Sequence, residues 1–159
     1  GKSYGTCAVK DDLTPIYAQI KEASALILGS PVYFGDVTGE LRSFLERLLF
    51  PYLVYDNPPR TLFPRQIPTA WIYTMNVSEE FAQQLGYGRL FDANELIMRR
   101  IFGHSGSIMS YDTYQFADYS EVVADRFDVA AKEKRRREFF PEDCRKAFDL
   151  GAALAKRSR

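Results

Sequence analysis

The stretch Ala25-Leu26-Ile27-Leu28-Gly29-Ser30-Pro31-Val32-Tyr33-Phe34-Gly35 decides the fold. Its first four residues form a short, unbroken apolar run, closed by Gly29-Ser30-Pro31. A run without polar alternation suits a strand buried on both faces, the signature of a parallel sheet. A helix is expected on either side. Upstream, Thr14-Pro15 reads as a start, with threonine at the cap and proline in the first turn; Ile16 and Ile20 share a face, and the end falls near Ala23. Downstream, Leu41, Phe44, Leu45, Leu48 and Leu49 repeat at helical spacing, with Glu40, Arg42, Glu46 and Arg47 between them. Thr38 or Asp36 caps that helix and Pro51 stops it, before a loop holding Pro58, Pro59, Pro64 and Pro68.

Further along, Thr69-Ala70-Trp71-Ile72-Tyr73-Thr74-Met75 is rich in β-formers and reads as a second strand. Ser78-Glu79-Glu80 combines a cap with first-turn acids, which complement the helix dipole. A helical region interrupted at Gly86 and Gly88 then runs towards Phe102, and Ser107-Ile108-Met109-Ser110-Tyr111 is a third strand. Pro141-Glu142-Asp143 opens a last helix that is expected to carry Ala147, Phe148 and Leu154 inward and to end in Lys156-Arg157-Ser158-Arg159. Alternating helices and strands predict one α/β layer domain over residues 1–159, with a mainly parallel sheet.

With 46% apolar residues, the 159-residue chain can fill a single core. Its 21 basic and 21 acidic residues cancel, so no global field favours nucleic acid or an anionic membrane, and neither is expected as a partner. The charged run Lys132-Glu133-Lys134-Arg135-Arg136-Arg137-Glu138 reads as a solvated surface. No apolar stretch is long enough to span a bilayer. The two distant cysteines make no disulfide framework, and a reducing cytoplasm is the expected location.

Ligands of open α/β sheets bind beyond the carboxyl ends of the strands, here residues 29–35, 74–77 and 111–115. The first segment is the richest. Gly29 and Gly35 permit tight turns, Pro31 stiffens the strand exit, and Val32, Tyr33 and Phe34 offer a surface on which a planar ring can stack. The same three side chains serve equally well to pack the strand onto its helix, and the residues alone leave both readings open. Other chemistries are poorly supplied. His104, in Gly103-His104-Ser105-Gly106, is the sole histidine and reads as a loop or helix-end residue, so multi-histidine metal sites are excluded. Asp11-Asp12 reads as a helix start, and Asn94, Glu95 and Asp112 have no partner visible in the sequence. Cys7 lies in a glycine-containing segment and Cys144 reads as a small packed residue; two thiols are too few for a four-thiolate cluster. No metal site and no acid–base catalytic residue are assigned.

Lys10-Asp11-Asp12-Leu13-Thr14-Pro15, the 25–35 stretch, and Leu41-Arg42-Ser43-Phe44-Leu45-Glu46-Arg47 together resemble the NADPH-dependent FMN reductase and iron–sulfur flavoprotein family. The resemblance continues more weakly through Tyr73-Thr74-Met75-Asn76, residues 111–116 and the last helix. It implies a flavodoxin-like three-layer sandwich with a five-stranded parallel sheet that binds FMN. It implies that Ser30, Pro31, Val32, Tyr33, Phe34 and Gly35 form a loop against the flavin ring, with Thr74, Met75 and Asn76 as a second flavin loop. The implied activity is electron transfer from NAD(P)H through FMN to a quinone, a flavin or another acceptor, in a homodimer or tetramer. The alternatives are an iron–sulfur flavoprotein-type electron carrier, or a truncated non-catalytic flavodoxin-like module. The family's N-terminal strand and its Gly-Ser-x-Arg-x-x-Gly-Asn-Thr phosphate loop have no counterpart in these residues, and Cys7 resembles the last cysteine of the connection before the family's third strand. The expectation is therefore a C-terminal portion of the family fold whose first strand has an open edge, covered by a preceding segment or by another chain.

Overall fold

The computed structural model describes residues 4–157; Ser158 and Arg159, expected at the end of the last helix, lie outside them. Three strands, β1 (Leu26–Tyr33), β3 (Ile67–Thr74) and β4 (Gly103–Ser110), run parallel, and a two-residue strand β2 (Asp36–Val37) returns antiparallel on β1. The order is β2-β1-β3-β4. β3 lies in the middle, and Ala70, Trp71 and Tyr73 have no exposed surface. The strand buried on both faces is therefore β3, and not β1 as its apolar run over residues 25–28 leads one to expect. β1 buries Leu28, Ser30 and Val32 on one face and leaves Ile27 half exposed on the other. Trp71 and Tyr73 stack nearly parallel, with ring centroids 5.3 Å apart.

The helices form layers on both faces, giving an α/β three-layer sandwich. On one side lie α1 (Leu13–Glu22), α2 (Gly39–Leu49) and α4 (Gly88–Phe102). Tyr17 of α1 stacks on Phe44 of α2, and Leu45, Leu48 and Leu49 carry the α2 stripe into the core, as the spacing predicts. Thr38 caps α2 through its side chain, and Ser78 does the same for the short α3 (Glu79–Gln84). Gly86, at φ +75, separates α3 from α4. The α1 start differs from expectation: Asp12 is the cap position, Asp11 accepts from the Leu13 N–H, and Ile16 is exposed while Tyr17 and Ile20 are buried.

On the other face, α5 (Val129–Glu138) leads into α6 (Phe140–Arg157), which packs on β3 and β4. Asp143 of α6 accepts from the Ser110 hydroxyl, which fixes this face as the one shared by Pro31, Thr74 and Ser110. Leu154 points inward, but Phe148 is 75% exposed and Cys144 is also exposed, against the expectation that both pack. α6 turns the row containing Asp143, Ala147 and Leu154 to the sheet, and Phe148 falls on its flank. Beside it β1 is uncovered: Ile27 and Tyr33 are half exposed, and over residues 26–31 its outer edge has no strand partner among the described residues.

His104 lies in β4 rather than in a loop, at the opposite end of the sheet from the strand exits. Desolvation, reinforced by Arg157 and Arg99, holds its imidazole below the usual value of 6.5. The unfolded chain therefore binds a proton here more readily than the folded one. The contribution of neutral His104 to stability is fully present above the ordinary value and is lost as pH falls through the folded one. As the protein's sole histidine, it should give one imidazole NMR titration with a midpoint below 6.5. In the core, Leu48 is 1% exposed, and Leu48→Ala should cost about 2–5 kcal/mol in urea unfolding.

Candidate functional site

Because β1, β3 and β4 are parallel, their carboxyl ends gather residues 33–35, 74–77 and 111–115 at one end of the sheet. The first group is not the loop expected from the sequence. β1 continues through Ser30, Pro31, Val32 and Tyr33, and only Phe34 and Gly35 form the turn into β2. Tyr33 pairs with Asp36, so the turn has two residues, and both have positive φ, +53 at Phe34 and +82 at Gly35. Positive φ at both centres is the mirror-image turn that matches strand twist. Glycine adopts it freely, whereas for phenylalanine it costs about 1–3 kcal/mol. Phe34 is held there with its side chain entirely in solvent.

Strand alternation sorts the other candidates. Ser30 and Val32 are buried; the Ser30 hydroxyl donates to the Pro31 carbonyl and accepts from the Thr38 N–H, so it serves the α2 entry. Pro31 and Tyr33 face the α6 side, where Thr74 lies opposite Pro31 in register. Met75 is 3% exposed and belongs to the core, while Asn76 is partly exposed. The side chains brought together at the sheet end are therefore Pro31, Tyr33, Phe34, Thr74 and Asn76. Ser30, Val32 and Met75 can reach a ligand only through their backbone.

Two polar networks hold this end. Asp36, beside the turn, pairs with Arg42 at 2.5 Å; Arg42 also reaches Asn94 Oδ1 at 3.4 Å, and Asn94 donates to the Tyr73 hydroxyl at 3.0 Å. Burial pushes the Tyr73 phenol well up, so it stays protonated. The second network stitches the later loops together. The Met75 N–H donates to the Ser110 carbonyl, the Asp112 N–H to the Val77 carbonyl, and the Thr113 N–H to the Met75 carbonyl. Lys132 closes it, bonding to Asp112 Oδ1 at 2.6 Å and to Asn76 Oδ1 at 2.5 Å. Lys132 is 3% exposed, a correction to the reading of residues 132–138 as wholly solvated. Asn94, Glu95 and Asp112 thus all have partners: Glu95 pairs with Arg99 and accepts from Ser107. Sequence reasoning missed Asn94, Asp112 and Lys132 because their partners are distant in the chain, and Arg42 because the turn that brings Asp36 to it reads as part of a loop.

A cavity of about 270 Å³ adjoins this end, lined by residues 110–117 with Arg135, Arg136 and Phe140. A larger one, of about 870 Å³, lies elsewhere, between residues 4–8 and α2, and none of the strand-exit loops lines it. There Arg47 holds Asp11 with two hydrogen bonds and reaches Cys7 Sγ at 3.7 Å, and the paired guanidinium keeps the Asp11 carboxyl below the usual carboxylate range. Among the described residues no group of His, Cys, Asp and Glu is arranged to hold a metal, and no helix is long and apolar enough to cross a membrane.

Residues 1–62 match the family model of NADPH-dependent FMN reductase. The chain is 46% identical over 46 residues to an iron–sulfur flavoprotein of Methanocaldococcus jannaschii, covering 29% of this chain and 24% of that protein. It is 40% identical over 43 residues to an iron–sulfur flavoprotein of Archaeoglobus fulgidus, covering 27% and 21%. The matched stretches thus span no more than about a quarter of these curated relatives. In fold, the chain is similar to an NAD(P)H:quinone oxidoreductase of Methanothermobacter marburgensis, with a TM-score of 0.59 at 14% identity over 74% of this chain and 61% of that one. The first 62 residues are thus similar to NADPH-dependent FMN reductases and to iron–sulfur flavoproteins, and the sheet with its flanking helices has a flavodoxin-like fold.

Proposed function

We propose that the carboxyl end of the sheet holds the ring of FMN and that the protein is an NAD(P)H-dependent oxidoreductase. The observation that carries this reading is Phe34, an aromatic ring in full solvent, fixed at positive φ by a two-residue turn. An exposed aromatic maintained at a conformational cost calls for something to stack on, and the segment matching the FMN reductase model includes it. The residues fit the ring end of such a ligand. Tyr33, Phe34 and Pro31 form an apolar wall, Thr74 and Asn76 supply polar atoms beside it, and Gly35 leaves backbone room.

FMN, when bound, supplies the redox chemistry, accepting a hydride from a nicotinamide and passing electrons to a quinone, a flavin or another acceptor. The chain's own residues place the ring and exclude water from one of its faces. Arg42 braces the turn through Asp36, so the wall does not depend on the flexibility of an isolated hairpin. Phe34 is also available to a second subunit, which suits a homodimer or tetramer in which each ring is shielded by the neighbour. An iron–sulfur carrier role has less support, because Cys7 is engaged by Arg47 and the other thiol, Cys144, is on α6.

Protein mixed with FMN and desalted should remain yellow and should bleach on addition of NADPH or NADH. Phe34→Ala should raise the Kd for FMN about tenfold, the loss of one stacking contact, with the melting temperature held or raised. A colourless wild-type protein after reconstitution would sink the proposal.

A further inference from the structure

Lys132 stands out because its charge is removed from water and yet touches neither the core stripe nor the surface. It comes from α5, which carries little else inward, and its Nζ is surrounded by Asn76 Oδ1 at 2.5 Å, Asp112 Oδ1 at 2.6 Å, and the carbonyls of Asn76 and Thr113 at 3.4 Å. The Phe127 ring closes another side, with the ammonium 5.0 Å from its centroid. All four oxygens belong to the loops after β3 and β4. Asp112 is in addition one of two non-glycine residues with positive φ among the described residues, at +50. Burying an ammonium is costly unless every proton finds an acceptor, so this cluster forms as a unit or not at all.

The cluster has a chemical consequence for Asn76. An ammonium has only donors, so the amide must turn its oxygen to Lys132 and its NH2 end away. One N–H of that end reaches Gln115 Oε1 at 3.1 Å. The other remains for a ligand. We infer that Lys132 is a positioning residue that fixes Asn76 as a hydrogen-bond donor towards an acceptor atom, such as a ring carbonyl, of a planar heterocycle at the sheet end. This inference rests on the proposed flavin site but concerns residues of α5 that the site does not itself include. The charge run therefore contributes one residue to the site and leaves its neighbours Lys134, Arg136 and Arg137 largely to solvent.

Three variants and two readouts test it. Asn76→Asp keeps an acceptor for Lys132 and removes the N–H donors. It should hold the melting temperature and keep amide exchange slow in residues 75–77 and 111–115, while weakening FMN binding about tenfold. Lys132→Met should speed exchange in both loops of the flavin-free protein and weaken FMN binding by at least as much. Leu154→Ala, which loosens α6 against the sheet, should lower stability and leave the Kd for FMN unchanged. Asn76→Asp binding FMN as tightly as wild type, or Leu154→Ala weakening it as much as Lys132→Met, would overturn the positioning role. Unchanged exchange in Lys132→Met would overturn the clamp itself. If the wild-type protein takes up no FMN, the flavin reading and the donor role of Asn76 both fall, and exchange in the flavin-free variants still decides whether Lys132 joins the loops.

Discussion

β3 lies between two parallel ladders, and its side chains are excluded from water along almost its whole length. That burial constrains the rest. Parallel neighbours cannot be joined by tight turns, so each crossover must travel back along the sheet as a helix. The helices then supply the apolar cover that the strand needs on both faces. A further consequence is geometric: three parallel strands finish at the same end, so loops that are far apart in sequence meet there without any contact having to draw them together. The site follows from the direction of the strands before any of its residues is chosen.

Once gathered, the loops are fixed by two cations. Arg42 braces the β1–β2 turn from α2, and Lys132 braces the later loops from α5. Their settings differ. The Arg42–Asp36 pair is partly in solvent, where an ion pair contributes little to stability, and its use is to orient. Lys132 is enclosed, and breaking its set of bonds would leave a buried charge without partners, which is far more costly than the set is stabilising. One end of the site is thus adjustable and the other close to all-or-none.

The strands and the α2 stripe were legible because apolar runs and helical period are local: Ala25 to Leu28 and Leu41 to Leu49 announce themselves within a dozen residues. Of the first run, however, only Leu28 is buried, because no element covers the outer face of β1 among the described residues. The turn was not. Phe34-Gly35 lacks the asparagine or aspartate that usually marks a two-residue hairpin, so Ser30 to Tyr33 read as a loop when they continue the strand. Phe148 was misplaced because an apolar residue one position off the helix stripe looks the same in sequence as one on it. Lys132 was illegible for a different reason. Its partners are 20 and 56 residues away, and nothing in a charged run says which member will be chosen by a distant carboxylate.

Trp71 is the protein's sole tryptophan, sealed in the middle strand and stacked face to face on Tyr73. The molecule therefore carries an optical gauge at its centre. Indole emission from so dry a setting lies to the blue and moves red only when water reaches the sheet. A yellow chromophore seated at the strand ends would absorb in the same region and dim that emission. One fluorescence trace can thus follow both the integrity of the sheet and the filling of its far end, with no label added.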